Sequence, residues 1–438
     1  MFPYLEPRLG TAVVWGILCL LGYNFTFAQS DLEKAAKALQ IFSDTLNKIQ
    51  NPNQQNPQNP YASAPPAAAS TQSRPDGSTT EIEWGTVFFP NSDDLFTSLI
   101  FSMRKVDRSS PYFRLLNPWK PQDFFGDPNS FIAVLLRPKI SLDEVSVTLS
   151  AEPYLRSSSI TLRGLQAGVP KACKPSLNWD YSALRNIPQS CPVTLVTEIT
   201  SPDGRSIGRS QRQISVRAPN ECPITPVPKA TPFDFLLAGY VNEDSPLVDF
   251  LLQEALGSKI VGQFTGYQGG RVEQVYNQLF SIWHVLQRRG VRYSDIATIS
   301  MNRGQGYGVQ HIRFMEDSLF RQQANCIDGA VLFASVCQRI GLQSSVVLLR
   351  PSGNHAIVGI RSEPNDGSWI LLDTTAMKDA QFAGFGVKTA SWQNFNSGLS
   401  QGIKVFEDSK GNGFEPKIVD VQTARRFGIV PIPLMANR

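Results

Sequence analysis

Histidine is nearly absent from this chain: three residues in 438, at positions 284, 311 and 355. Cysteine is scarce too, at six, and neither a cysteine pair nor a His/Cys cluster stands at the spacing of zinc ligands. That excludes a structural zinc site, and no other metal or cofactor is expected. Charge is thin as well. Charged residues make up 18%, the formal net charge is +4, and no Lys/Arg run stands out, which argues against nucleic acid as a partner. What remains is ordinary globular material: 42% hydrophobic residues, with 31 prolines and 32 glycines, in a chain long enough for two or three domains.

The N-terminus reads as a targeting signal. Arg8 precedes the largely apolar "TAVVWGILCLLGYNFTF", and "TFA" (26–28) puts small residues at −3 and −1 of a cleavage site after Ala28. A signal peptide over 1–28 is expected, followed by an exported protein, periplasmic or extracellular, with no stable membrane span after cleavage. The alternative is an uncleaved segment that tethers the chain, because the run approaches a bilayer span. Cys19 lacks the small residue that precedes a lipidated cysteine.

Residues 29–50 carry a helical stripe, Leu32, Ala35, Ala36, Leu39, Phe42, Leu46 and Ile49. Residues 51–80 have almost no large apolar side chains and many Pro, Asn, Gln and Ser, so they form a disordered linker. From 81 to 225 the period changes to two: "FIAVLLRP", "DEVSVTLS", "SSITLRG", "PVTLVTEIT" and "RSQRQISVR", with "SPDG" as a hairpin turn. This predicts an N-terminal antiparallel β-sandwich. It carries Cys173, Cys191 and Cys222, and loop length favours a Cys173–Cys191 disulfide. After a short linker, "PVPKATP", residues 226–438 form a second, α+β domain. "EDSKGNGF" (407–414) has the Asp408, Asn412 and Gly413 of a partial calcium loop. Lys410 stands where an oxygen ligand is needed and no glutamate closes the loop, so a hairpin turn is expected.

The second domain holds the candidate chemistry. "GRVEQVYNQLFSIWHVLQRRG" (270–290) and 326–341 read as helices, each closed by glycine. Strands follow at 344–351, 355–362 and 369–375. Ile327, Ala330, Val331, Ala334 and Cys337 form the apolar stripe of the second helix, which makes Cys337 a core residue. Cys326 begins that helix, about 16 Å from Cys337 at roughly 1.5 Å per residue, too far for a disulfide. A helix start favours a thiolate and offers free N–H groups to an oxyanion, although the Asp328 anion opposes this somewhat. If residues 363–367 turn the chain, Ile357 lies opposite Asp373, and His355 is diagonal to the aspartate on the same face. Such an aspartate can orient an imidazole and stabilise its charged form. His284 reads as packing or surface; His311, after a glycine-rich loop, reads as a cleft residue at most.

"ANCIDGAVLFASVCQRIGL", "NHAIVGI" and "WILLDTT" together resemble the transglutaminase-like superfamily of papain-related Cys-His-Asp folds, in a bacterial exported branch. "FTGYQGG", "RYSDIATIS" and "QHIRFMEDSL" extend the resemblance over roughly residues 230 to 435. Asn354 stands where the family pattern has glycine. The resemblance implies Cys326 as nucleophile, His355 as general base and acid, and Asp373 as the orienting carboxylate. Gln322 or Gln323 would help hold the oxyanion, with Gln323 preferred. The implied activity is attack on amide bonds of a protein or peptide substrate, the cell envelope being one source of it, through a thioester that passes to water or an amine. Protease, amidase and transferase share these residues. The alternative is a catalytically silent fold that binds envelope proteins or peptides.

Overall fold

Period-two alternation builds the first half of the molecule. The computed structural model describes residues 76–89, 93–106, 109–113, 124–224, 233–294, 299–301, 308–349, 355–365, 367–377 and 387–433. The expected signal peptide, the 29–50 helix, residues 51–75 of the expected linker and the 226–232 linker lie outside them.

The first strands are β1 (Gly77–Ser78), β2 (Ile82–Phe88) and β3 (Asp94–Phe96), followed by helix α1 (Thr97–Ser102). Next come β4 (Phe124–Gly126), β5 (Ile132–Pro138), β6 (Leu142–Ala151) and β7 (Leu155–Leu165). β8 (Lys171–Lys174), β9 (Asn178–Trp179), α2 (Tyr181–Arg185), β10 (Cys191–Thr200) and β11 (Ser206–Arg217) complete this half. The strands form two sheets, ordered β1-β2-β5-β8-β4 and β3-β11-β10-β6-β7-β9. On β6, Val145, Val147 and Leu149 are fully buried. The alternate residues Ser146 and Thr148 meet Thr161 and Ser159 of β7, at 2.9 and 2.8 Å. The two sheets touch through Trp84 Nε1, which donates to Ser210 Oγ at 3.1 Å, and through the buried hydroxyls of Thr86 and Thr197, 3.2 Å apart.

Two expectations change here. The linker predicted to reach 80 ends earlier. β1 pairs with β2, and the Asp76 carboxylate accepts the Thr86 N–H at 2.6 Å, so the edge of β2 is covered. The predicted Cys173–Cys191 disulfide is not formed. Cys173 lies buried on β8 in one sheet and Cys191 opens β10 in the other, with its Sγ 3.3 Å from the Tyr154 hydroxyl. Loop length says how far apart two cysteines are along the chain, not which sheet each joins. Burial pushes the Cys173 thiol up to about 12.

The second half is mixed. β12 (Glu221–Ile224) leads to a 3-10 turn (Asp234–Leu236), α3 (Leu237–Tyr240), α4 (Pro246–Gly257) and α5 (Val272–Arg288). β13 (Arg292–Tyr293), β14 (Ile299–Met301), β15 (Gly308–His311), α6 (Met315–Phe320) and β16 (Gln323–Ala324) precede the central helix α7 (Cys326–Arg339). Then come β17 (Ser344–Leu349), β18 (His355–Arg361), β19 (Trp369–Leu372) and a second 3-10 turn (Thr374–Ala376). α8 (Val387–Gly411), β20 (Lys417–Asp420) and α9 (Val421–Arg426) close the described chain. β12, just before the expected border at 225/226, pairs with β15 beyond it. All described residues belong to one unit, Ala64–Arg438. The architecture is α+β with several sheets.

Four antiparallel strands, in the order β19-β18-β17-β20, carry the site. α7 packs on β18 and β17, and α8 lies along β19. Ala330, Phe333, Ala334 and Cys337 of α7 are fully buried, so Cys337 is a core residue whose thiol is pushed far up by burial. Segment 407–414 is not the expected hairpin turn but the end of α8. Phe414 N donates to Ser409 O and Gly413 N to Lys410 O, with Gly413 at φ +79°. This is a Schellman closure, which uses the same Asn-Gly chemistry as a turn.

Candidate active site

The start of α7 is fixed before the cysteine is considered. Asn325, not Cys326, is the N-cap. Its Oδ1 accepts the N–H groups of Ile327 and Asp328 at 3.0 and 2.9 Å, and Asp328 Oδ2 accepts Asn325 N at 3.0 Å. This reciprocal capping box leaves Cys326 as the first helical residue. Asp328 is fully buried and is also bonded by Arg313, through its N–H at 2.7 Å and its guanidinium at 2.8 Å. Burial pushes the Asp328 carboxyl up, against the pull of those hydrogen bonds. Its negative charge is thus engaged by Arg313 and two backbone donors.

His355 and Asp373 meet through strand register. β18 and β19 pair Val358 with Leu372, and the same register carried one step sets Ile357 opposite Asp373, as the turn length predicts. β19 stops at Leu372, earlier than expected, and Asp373 caps the 3-10 turn that follows. From there its carboxylate reaches back along the sheet. His355 Nε2 and Asp373 Oδ2 are 2.8 Å apart, with Asp373 fully buried. With Nε2 taken by Asp373, Nδ1 is the ring nitrogen left for a second partner, and Cys326 is the other group that acts on the imidazole.

The electrostatics follow from this arrangement. Burial alone would lower the His355 imidazole, but the hydrogen bonds to Asp373 and Cys326, and the field of both groups, raise it from 6.5 to about 10. Burial acts to raise the Asp373 carboxyl. Hydrogen bonds from His355 and Thr375 outweigh it and hold Asp373 below its ordinary value. A charged imidazole between a carboxylate and a sulfur can stabilise a thiolate and later release a proton.

Three residues that hold Asp373 were not singled out from the sequence. Thr375 N and Oγ1 donate to Asp373 Oδ1 at 2.9 and 2.7 Å. Gln401 Nε2, on α8, donates to Oδ2 at 2.9 Å. Gly402 lets α8 lie directly on the strand, since a Cβ there would stand 2.6 Å from Leu371 O. The readable signal was "GLSQG", with small residues one helical turn apart flanking Gln401.

The other candidates lie elsewhere. Gln323 pairs through β16 with Arg292 of β13 and makes no side-chain hydrogen bond to Cys326 or His355. Gln322 turns through a left-handed backbone, φ +55°, and its side chain lies beside Gly290. His284 is buried on α5 against Phe280. His311 is exposed on β15, with Nε2 3.0 Å from Asn220 Nδ2. Among the described residues no group of His, Cys, Asp and Glu could hold a metal ion, and no helix is long and apolar enough to cross a membrane.

No family model matches the chain, and no curated protein matches it. Solved structures similar to it include a candidate cysteine protease from Cytophaga hutchinsonii, at 14% identity over 54% of this chain and 74% of that one, with a TM-score of 0.20. Red sea bream transglutaminase is similar at 12% identity over 66% of this chain and 53% of that one, with a TM-score of 0.18. Likenesses that distant do not bear on the chemistry, which stands on the residues themselves.

Proposed function

We propose that this chain is an exported thiol enzyme that acts on amide bonds of proteins or peptides, with Cys326, His355 and Asp373 as its catalytic triad. In this reading a transglutaminase-like, papain-related domain follows an N-terminal β-sandwich. The observation that carries the proposal is the His355 ring, bonded through Nε2 to the buried carboxylate of Asp373, with Cys326, at a helix start, as the other group acting on it.

The Cys326 sulfur attacks the carbonyl carbon, and the C=O electron pair moves onto oxygen. The Cys326 N–H, the first-turn donor that the capping box leaves untaken, stabilises that oxyanion. As the oxyanion collapses, the C–N bond breaks and His355 gives its proton to the leaving amine. The acyl group now sits on Cys326 as a thioester. His355, neutral again, takes a proton from water or a second amine, which attacks the thioester and expels the thiolate. Asp373 keeps the ring in place and stabilises its charged form. The apolar N-terminal run supports export, so the substrates belong to the envelope or the surroundings.

Iodoacetamide at pH 6 should label Cys326 faster than it labels free cysteine, and His355→Ala should lose that advantage. Labelling of folded protein at the free-thiol rate would refute the proposal. Fluorescent casein, with and without dansylcadaverine as acceptor amine, measured against Cys326→Ala, separates hydrolysis from transfer.

A further inference from the structure

The Asp373 carboxylate is held at all four of its lone-pair positions. Thr375 N and Oγ1 fill the two on Oδ1; His355 Nε2 and Gln401 Nε2 fill the two on Oδ2. Three of the four donors are local in sequence or belong to the proposed triad. Gln401 is neither. It comes from α8, and its side chain is exposed at the edge of the site, so it has little packing to contribute.

The backbone beneath Gln401 is tied to the same turn. Asp373 N donates to Gly398 O at 3.0 Å, one helical turn before Gly402. Asn394 Nδ2 donates to Ala376 O at 2.7 Å, while its Oδ1 accepts from Trp283 Nε1 at 3.2 Å and Gln287 Nε2 at 2.9 Å. α8 therefore grips the Asp373–Ala376 turn at its first residue, at its last residue and at the carboxylate. The first two contacts place the turn. The third goes to the carboxylate at 2.9 Å, with a longer contact to Thr375 Oγ1 at 3.5 Å.

We propose that Gln401 is a positioning residue for His355, acting through Asp373: its amide fixes the Oδ2 oxygen that orients the imidazole. The proposal rests on the triad chemistry above. During that chemistry His355 gains and loses a proton and turns between sulfur, leaving group and water. A carboxylate oxygen held by His355 alone would move with it. With Gln401 on the remaining lone pair, Oδ2 stays where it is while the ring changes charge. Only the amide nitrogen can face a carboxylate, so the donor assignment is fixed by chemistry.

The test is carried out on the full chain and measures Cys326 alkylation by iodoacetamide, peptide by peptide, at pH 5 and pH 8. Gln401→Leu removes the donor and keeps the bulk. It should slow labelling of Cys326 roughly tenfold or more at both pH values, the loss expected of one hydrogen bond to a charged group. Gln401→Glu keeps the shape and makes the donor titratable. At pH 5 the new carboxyl, beside ionised Asp373, keeps its proton and donates an O–H, so labelling should be within about twofold of wild type. At pH 8 it is ionised, repels Asp373, and should slow labelling about as much as Gln401→Leu does. A packing role would leave the isosteric variant unchanged at both pH values. If both variants label within twofold of wild type at both pH values while His355→Ala is slow, the role assigned to Gln401 is wrong and the triad stands. If His355→Ala also matches wild type, the triad chemistry fails and takes this inference with it. Should Gln401→Leu fail to fold, Gln401→Glu alone carries the test through its pH contrast.

Discussion

Replacing Asp373 with asparagine tests the site more sharply than removing it. The amide has the size of the carboxylate, so the buried space stays filled, but it accepts on one side only and donates on the other. Thr375 presents a fixed backbone N–H and a hydroxyl to the Oδ1 position, at 2.9 and 2.7 Å. That position therefore takes the amide oxygen, and the NH2 group faces His355 and Gln401. Gln401 can turn its amide to present oxygen. His355 can accept only by moving its proton to Nδ1, the nitrogen Asp373 leaves for the thiol, and an imidazole in that tautomer cannot take the thiol proton there. The structure thus predicts a folded variant with a disabled base. The carboxylate contributes a share of the rise of His355 from 6.5 to about 10. Losing a hydrogen bond to a charged partner costs about 1.5–3 kcal/mol, roughly 10- to 100-fold in the population of the thiolate–imidazolium pair. Labelling of Cys326 by iodoacetamide at pH 6 should fall by one to two orders of magnitude in Asp373→Asn. At pH 10, where ordinary thiols are ionised, the two proteins should converge. A variant that folds and labels like wild type at pH 6 would refute the reasoning, because the carboxylate would then have no part in activating the sulfur.

Two other outcomes follow from the packing around the site. Gly402→Ala should lower stability by about 1–3 kcal/mol in urea unfolding, despite alanine's better helix propensity, because the new Cβ would meet Leu371 O at 2.6 Å; a stabilised variant would mean that α8 does not lie on β19. His284 is buried with Nδ1 unbonded, and burial, followed by the charges of Arg288 and Lys388, lowers its imidazole from 6.5 to about 4. The unfolded chain then binds the extra proton between those values, so the stability is present above about pH 6.5 and is lost as pH falls towards 4, by about 3 kcal/mol. His284→Phe should flatten the urea midpoint between pH 7 and 4.5, and an unchanged acid slope would count against a neutral, buried His284.

The parts of the site that could be read from the sequence are those fixed by a single local device. Asn325 and Asp328 stand three apart and cap each other, so the helix start was marked without knowledge of the fold. "EPNDGS" has one turn's worth of residues, with Asn365 in the left-handed region at φ +66°, and that length sets which residues of β18 and β19 face each other. His355 and Asp373 were therefore legible as a pair once the turn was assigned. Gln401 was not, because nothing within a few residues of it points to Asp373. Its partner is chosen by how closely α8 approaches β19, and that depends on Gly398 and Gly402 having no side chain to place between helix and strand. The same limit explains the errors elsewhere. An Asn-Gly sequence ends a helix as well as it turns a hairpin, and only the length of α8 decides for 407–414. Cys173 and Cys191 are close in sequence, yet β8 is drawn into one sheet by the distant β5, with Cys173 opposite Val134, while β10 joins the other sheet beside the following strand β11, with Cys191 opposite Val216. Glycines one helical turn apart beside a strand pattern are therefore the sequence signal to weigh for a distant positioning residue, since they mark where a helix can bring a polar side chain close to a catalytic turn.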